Sequence, residues 1–330
     1  MRKFLFPVLL GAISLVLTAA FLELAVRYVV DDGMQFDLEM WKYARDVKVV
    51  SADPAIGHEH GPNRQAHLMG VDVATSSQGL RDRNFPLERK EGVKRIVMVG
   101  DSLTFGWGVP FEDTFSKRIE KLYTDAGETV EVINTGVGNW NTMQEVAYFL
   151  DRGKDFKPDI VVLNYFVNDA EPVPQNRQPP SLLMRNCYAC VFLVGRLDML
   201  KRQFFGGTSW DAYYLGLYGN GEAPGWLDAK AAIKRLAEYC KANGITLVVA
   251  SLPELHDVKN YPFEPVTQLV KNAAAENGAV FVDLLPSVSG EASETLWVTP
   301  PDPHPNAFAN GLIAAGLFAT LRGLDKPAAD

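Results

Sequence analysis

The sequence predicts an α/β fold: a parallel five-stranded sheet with helices on both faces, preceded by one N-terminal transmembrane helix. Two observations carry this. From residue 94 onward, short apolar runs alternate with amphipathic stretches of helical length, the pattern of a parallel sheet whose crossovers are helices. Near the start, Phe4 to Leu22 runs without a charge.

That uncharged run follows Met1-Arg2-Lys3 and holds 19 residues. As a helix it spans about 28 Å, close to the roughly 30 Å of a bilayer's hydrocarbon core. A cleaved signal peptide is the competing reading, because Thr18, Ala19 and Ala20 offer small residues. The run is longer than the roughly 7–15 residues of a signal core, and Phe21-Leu22 continues it past the cut, so an uncleaved anchor is expected. Arg2 and Lys3 precede the span, while Glu23, Asp31 and Asp32 follow it with Arg27 as the one positive. The positive-inside rule then puts the N-terminus in the cytoplasm and the chain from about residue 30 outside, in the bacterial periplasm or beyond.

In chain order, Arg95–Gly100 reads as a buried strand, followed by a helix from Thr114 to Ala126. Val130–Asn134 is a second strand and Thr142–Arg152 a second helix. Pro158 punctuates the chain before a third strand, Ile160–Phe166. A helix from Leu227 to Asn243 ends at Gly244, then come a strand from Ile245 to Leu252 and a helix from Pro265 to Asn277. Val280–Asp283 is the fifth strand and Asn306–Leu321 the last helix. Three parts follow: residues 1–30 as cytoplasmic stub and anchor, a turn-rich extension with short hairpins over 31–93, and the α/β body over 94–330. An insertion at about 170–226 interrupts the body. It begins with Pro172, Pro174, Pro179 and Pro180, continues with an apolar stretch from Leu182 to Phe205, and ends with the aromatics Tyr213, Tyr214 and Tyr218. Its position suits a lid or substrate wall, or plain packing against the body.

Composition narrows the function. There are 32 basic and 40 acidic residues among 330, a formal net charge of −8. Such an acidic chain, with no long Lys/Arg run, excludes a phosphate-backbone binder, so nucleic acid is not a partner. Three cysteines (Cys187, Cys190, Cys240) cannot build a disulfide framework. Cys187 and Cys190 have redox or metal spacing but no second such pair. They read as packing residues or one disulfide. His58-Glu59-His60 is half a metal site without a third ligand, so neither metal nor cofactor is expected.

The chemistry is concentrated in a few turns. Gly100-Asp101-Ser102-Leu103-Thr104-Phe105-Gly106 follows the first strand of the body and leaves Ser102 exposed where a helix begins. Trp107 after the last Gly excludes a phosphate loop, and Thr104 occupies the place where a nucleophile elbow has Gly. A serine nucleophile needs a base, and the base an orienting acid. His304 lies in Pro300-Pro301-Asp302-Pro303-His304-Pro305-Asn306, where residues two apart on an extended chain project to one side. Asp302 can therefore face the same pocket, and the prolines reduce the entropy lost in fixing the imidazole. Asp283, at the end of the fifth strand, is the alternative acid. Donors for a developing oxyanion sit at the ends of strands two and three, in Asn134-Thr135-Gly136-Val137-Gly138-Asn139 and in Val167-Asn168-Asp169. His256, after the fourth strand, is near the same edge, and with Asp101 and Asp169 is expected to touch substrate.

These blocks resemble the SGNH, or GDSL-type, hydrolases over roughly residues 94–322: Gly100-Asp101-Ser102, the Asn134–Asn139 turn, Asn168-Asp169 and Asp302-Pro303-His304. The resemblance implies a three-layer α/β/α fold and a catalytic triad of Ser102, His304 and Asp302. It also implies an oxyanion hole from the Ser102 N–H, a second-block N–H (Gly138 or Asn139) and the Asn168 side chain. The chain departs from the family pattern at Phe166, where a Gly is usual, and at Asn139, which aligns with a common Gly. Its Asp–His spacing is one residue shorter than the commonest form. With Ser77-Gln78-Gly79-Leu80-Arg81-Asp82 ahead of the first block, the body further resembles membrane-anchored bacterial members associated with envelope or exopolysaccharide modification machinery.

The function expected is a serine esterase acting on O-acyl esters, small or glycan-borne, at the inner membrane's outer face. An O-acyltransferase with the same triad, passing the acyl group to a sugar hydroxyl, is the alternative. A non-catalytic carbohydrate-binding or scaffold protein is the third class, against which the presence of Ser102, Asn168, Asp302 and His304 counts.

Overall fold

The computed structural model describes residues 2–173, 181, 184–205, 209–300 and 302–324. Met1, Pro174, Pro179, Pro180, Leu182 and Pro301, named above, lie outside the described residues. Helix α1 (Arg2–Ala25) continues through a π-helical turn (Val26–Val30). Its Phe6–Val30 segment has the length and mean hydropathy, 2.2, to cross a membrane, and no part of its most apolar stretch is buried in the body.

The next elements are α2 (Phe36–Asp46) and two antiparallel hairpins. One hairpin joins β1 (Lys48–Val50) to β2 (His58–His60), the other β3 (Gln65–Leu68) to β4 (Val71–Ala74). These elements have no separate core. Tyr43, Val47, Leu68, Met69 and Val73 bury themselves with Phe105 and Trp107, which belong to the turn after the first body strand.

The body has β5 (Lys94–Val99), the single turn α3 (Ser102–Phe105), α4 (Phe115–Asp125), β6 (Val130–Asn134), α5 (Thr142–Asp151) and β7 (Ile160–Tyr165). The insertion contributes α6 (Tyr188–Phe205) and α7 (Trp210–Gly216). Then come α8 (Pro224–Ala242), β8 (Thr246–Ser251), α9 (Glu264–Glu276), β9 (Val280–Asp283), the small antiparallel pair β10 (Trp297–Thr299) and β11 (Asp302–Pro305), and α10 (Ala307–Leu324). Each strand and helix expected in the body is present, with its ends moved by three residues at most.

Sheet order is β6-β5-β7-β8-β9, and every neighbouring pair is parallel. The strands are apolar throughout because both faces are covered. Val97, Val99, Val161 and Leu163 point to one side and meet α5, α8 and α9 through Val146, Leu236 and Val270. Ile96, Met98, Val132 and Val162 point to the other and meet α4 and α10 through Ile119, Ile313 and Leu317. Each fully buried aliphatic side chain contributes roughly 1.5–3 kcal/mol. Helix α10 is also long and apolar enough to span a membrane, but Ile313, Ala314, Leu317 and Leu321 show it to be a core helix. The strand order reverses between β5 and β7, and at such a switch point the crevice opens at the carboxyl ends of the two strands.

In the insertion, Cys187 and Cys190 form a disulfide at the start of α6, and Cys240 is a free, buried thiol. Trp210, Tyr214 and Tyr218 pack into the body. The Tyr218 hydroxyl bonds the Tyr165 hydroxyl at 2.9 Å and donates to Val167 O at 3.0 Å. This half of the insertion is therefore part of the core's wall.

Candidate active site

Ser102 stands at the switch point, in the first turn after β5. Asp101 caps α3: its Oδ1 accepts the Leu103 N–H at 2.9 Å. The turn ends at Gly106, whose φ of +84° is left-handed, and a Cβ there would fall 2.4 Å from Thr114 Cγ2. The carbonyls that this short helix leaves open are taken by Arg81. Its guanidinium donates to Phe105 O at 3.0 Å, to Gly106 O and to Val109 O at 2.6 Å. Burial pushes the Arg81 pKa down to about 10, which leaves it charged at neutral pH.

The imidazole arrives from the far end of the chain. On β11, Asp302 and His304 lie on the same side, as the two-residue period of an extended chain requires. His304 Nε2 is 2.9 Å from Ser102 Oγ, and His304 Nδ1 is 2.5 Å from Asp302 Oδ1. The second carboxylate oxygen of Asp302 accepts the Trp107 indole N–H at 2.8 Å. Burial raises the Asp302 pKa, but the bonds from His304 and Trp107 outweigh it and hold the carboxyl below its ordinary value. The rings of Phe36 and Trp107 stand 6.3 and 6.2 Å from the imidazole. Asp283 is elsewhere: its Oδ1 closes a turn by accepting the Leu285 N–H at 3.0 Å.

The second-block turn is pressed against the Ser102 turn. A Cβ at Gly136 would lie 2.4 Å from Phe105 N. Asn134 Nδ2 donates to Thr104 O at 2.7 Å, and its Oδ1 accepts the Gly136 N–H at 2.9 Å.

Ser102, His304 and Asp302 thus meet above a parallel sheet, and the model of the GDSL-like lipase/acylhydrolase family matches residues 98–311. The chain belongs to that family. Among solved structures, this GDSL-like chain is similar to TesA, at 16% identity and TM-score 0.47, over 70% of this chain and 99% of that one. It is also similar to a lipase/acylhydrolase from Enterococcus faecalis, at 12% identity and TM-score 0.46, over 72% of this chain and 100% of that one. A third is a mutant of Axe2, an acetyl-xylooligosaccharide esterase from Geobacillus, at 14% identity and TM-score 0.46, over 72% of this chain and 96% of that one. The search of curated proteins gave no match.

Of the two second-block donors expected in this GDSL-like chain, Gly138 is already engaged. Its N–H donates to the Tyr43 hydroxyl at 2.9 Å, and its carbonyl accepts from Lys48 Nζ at 2.6 Å and meets His58 Nε2 at 3.0 Å. Because an N–H can only donate, the Tyr43 hydrogen goes to His60 Nε2, 2.6 Å away. Burial and the Lys48 charge push the His60 pKa down to about 3, so it accepts as a neutral ring. Asn139 instead adopts a φ of +65°, the conformation that a Gly would take at the aligned position. One expectation, that of Gly138 as a donor, is thereby corrected. Gly138 does not present its N–H to a substrate, and His58 and His60 brace this turn through polar bonds of their own.

Asp101 and Asp169, expected against substrate, are buried, with 1% and 0% of their surface exposed. Asp169 Oδ2 accepts the Phe166 N–H at 2.8 Å. With Glu145, whose two oxygens have no partner among the described residues, they form a buried acidic group. Burial raises all three pKa values; the Asp101 charge raises Asp169, and the charges of Asp169 and Asp101 raise Glu145. Asn168 flanks this group, and its amide opposes the rise at Asp101. His256 pairs through Nδ1 with Glu254, which raises its pKa, and stacks on Trp210 at 4.5 Å. It ties α7 to the loop after β8, and its ring stands 5.7 Å from Trp297, which pairs across from Pro305. Sequence reasoning missed Phe36, Tyr43, Arg81 and Trp107 as neighbours of the site. Only Arg81 carried a signal, through the segment Ser77–Asp82.

Proposed function

We propose that this chain is a serine ester hydrolase acting on O-acyl esters at the bacterial cell envelope. The observation that carries the reading is the continuous polar line from Ser102 Oγ through His304 to Asp302, with spacings of 2.9 and 2.5 Å. In this reading Ser102 Oγ attacks the ester carbonyl while His304 Nε2 takes its proton. The alkoxide oxygen of the tetrahedral intermediate is met by the N–H groups of Ser102 and Asn139 and by the Asn168 amide. Collapse expels the alcohol, which takes the proton back from His304, and leaves an acyl group on Ser102. Water, activated by the same imidazole, then releases the carboxylic acid. Asp302 keeps the imidazole in the tautomer with its hydrogen on Nδ1 and stabilises the imidazolium. In this reading no step calls for a metal or cofactor.

The proposal includes the setting. Phe6–Val30 is a retained single-pass anchor of the inner membrane, with the basic N-terminus inside and the catalytic body in the periplasm. Its substrates there are small esters or acylated glycans, and envelope polysaccharide-modification machinery is the partner such a position would serve. The test is turnover by the purified full-length chain of acetyl and longer p-nitrophenyl esters, with and without added glycan. Release of free acid that disappears in Ser102→Ala supports the hydrolase. Acyl transfer to the glycan, with little free acid, would make it the O-acyltransferase. Neither product from any ester tried would overturn both.

A further inference from the structure

Helix α6 carries an apolar face that the rest of the described chain leaves open. Leu193, Val194, Leu197 and Leu200 are between 43% and 65% exposed, and the spacing of Leu193, Leu197 and Leu200 puts them on one side. The start of α6 is firmly seated. The Glu23 carboxylate accepts the N–H groups of Tyr188 and Ala189 at 3.2 and 2.9 Å, and Arg27 donates to Asn186 O at 3.0 Å. Val26, Leu38 and Ala189 are buried together beneath this contact. Because the apolar span runs on to Val30, the seat lies within its last turns. That is the depth of the bilayer boundary.

Further along, the other side of α6 faces the body. A Cβ at Gly195 would lie 2.3 Å from Asp37 Oδ2, and at the border of the apolar face Arg196 donates to Gln35 Oε1 at 2.9 Å. Charge distinguishes this segment from the rest of the chain. Residues 184–205 hold Arg185, Arg196, Lys201 and Arg202 against Asp198 alone, in a chain of net charge −8. Among the described residues, only Phe6–Val30 and Ala307–Leu324 are long and apolar enough to cross a membrane, so α6 is suited to lie on a bilayer.

We propose that the Leu193–Leu200 face of α6 is embedded in the outer boundary of the lipid bilayer, beside the anchor, with Lys201 and, ahead of the helix, Arg185 toward anionic phospholipid headgroups. This rests on the reading of Phe6–Val30 as a retained anchor. Such a helix gives the body's orientation a second hold on the bilayer besides the single span. It also holds the site close to lipid: Asp37 touches α6, and the ring of its neighbour Phe36 stands 6.3 Å from that of His304.

The test uses the full chain in nanodiscs of phosphatidylethanolamine and phosphatidylglycerol. An environment-sensitive fluorophore is attached to a single introduced cysteine, in Leu197→Cys, in Leu15→Cys within the span, or in Lys121→Cys on exposed α4, and nitroxide-labelled lipid is the quencher. The expected result is strong quenching at positions 15 and 197, several-fold above that at 121. Quenching at 15 with position 197 no better than 121 would overturn the proposal while leaving the anchor standing. Protection of position 197 only in native membranes, and not in nanodiscs, would also overturn it and assign the face to a protein partner. Absence of quenching at 15 would mean that the anchor reading has failed, and the proposal with it.

Discussion

The Trp107 indole N–H donates to Asp302 Oδ2 at 2.8 Å, on the oxygen that His304 Nδ1 leaves open. Both carboxylate oxygens are thus held, one by the imidazole and one by a ring buried against Phe36 and Tyr43. A hydrogen bond to a charged group contributes about 1.5–3 kcal/mol. Trp107→Phe keeps an apolar ring there and removes the donor. We expect kcat to fall by roughly 10- to 100-fold, with KM little changed. Steady-state kinetics on a p-nitrophenyl ester would show this, and an unchanged kcat would mean that His304 alone orients Asp302.

A second chain of contacts reaches the site from outside the region matched by the family model. Tyr43 on α2 accepts the Gly138 N–H and donates to His60. Tyr43→Phe preserves packing against Phe105 and Trp107 but removes both bonds, each worth about 1 kcal/mol. The Val137–Gly138 peptide, one step before Asn139, should then lose its anchor while Lys48 and His58 still hold Gly138 O, and kcat should drop by roughly tenfold with secondary structure intact. If the melting temperature falls while kcat does not, the bond serves stability alone.

The choice of acid is open to a paired test. Replacing the triad carboxylate by its amide can cost about 10⁴ in kcat. Asp302→Asn should show a loss of that order near neutral pH. Asp283→Asn, which affects the turn bond to Leu285, should remain within a few-fold of the parent. The reverse pattern would move the acid to Asp283 and leave Ser102 and His304 in place.

The sheet was readable because its strands are buried on both faces, so their apolar runs stand out between Gly, Pro and polar turns. Asp302 and His304 were readable for a local reason: a two-residue spacing fixes their common side wherever the loop goes. The bracing of the site was not. Trp107 and Asp302 are 195 positions apart, and Tyr43 and Gly138 are 95 apart; no local pattern encodes such pairings. The engagement of Gly138 is of this kind, since its N–H is claimed by a hydroxyl from a distant helix. Asp101 and Asp169 misled because polar residues in turns usually face water, whereas these face inward beneath the sheet's edge.

That inward acidic group makes a stability prediction. A carboxyl whose pKa is higher folded than unfolded stabilises the fold fully below its unfolded value, about 4.3 for Glu. The contribution is lost as pH rises toward the folded value, at up to about 1.4 kcal/mol per pH unit. Glu145 is raised by burial and by Asp169 and Asp101, so the parent protein should lose stability from pH 5 to pH 8 relative to Glu145→Gln. Melting temperatures across that range should diverge in favour of the variant. Parallel curves would show that Glu145 carries no raised pKa.

The central claim is that Ser102 is the nucleophile, and a fluorophosphonate probe tests it most directly, because the reagent phosphonylates an activated serine hydroxyl. Peptide mass spectrometry of the labelled full-length chain should place a single adduct on Ser102, and Ser102→Ala should lose both the adduct and ester turnover while melting like the parent. Labelling that persists undiminished in Ser102→Ala, or turnover that survives it, would contradict the account.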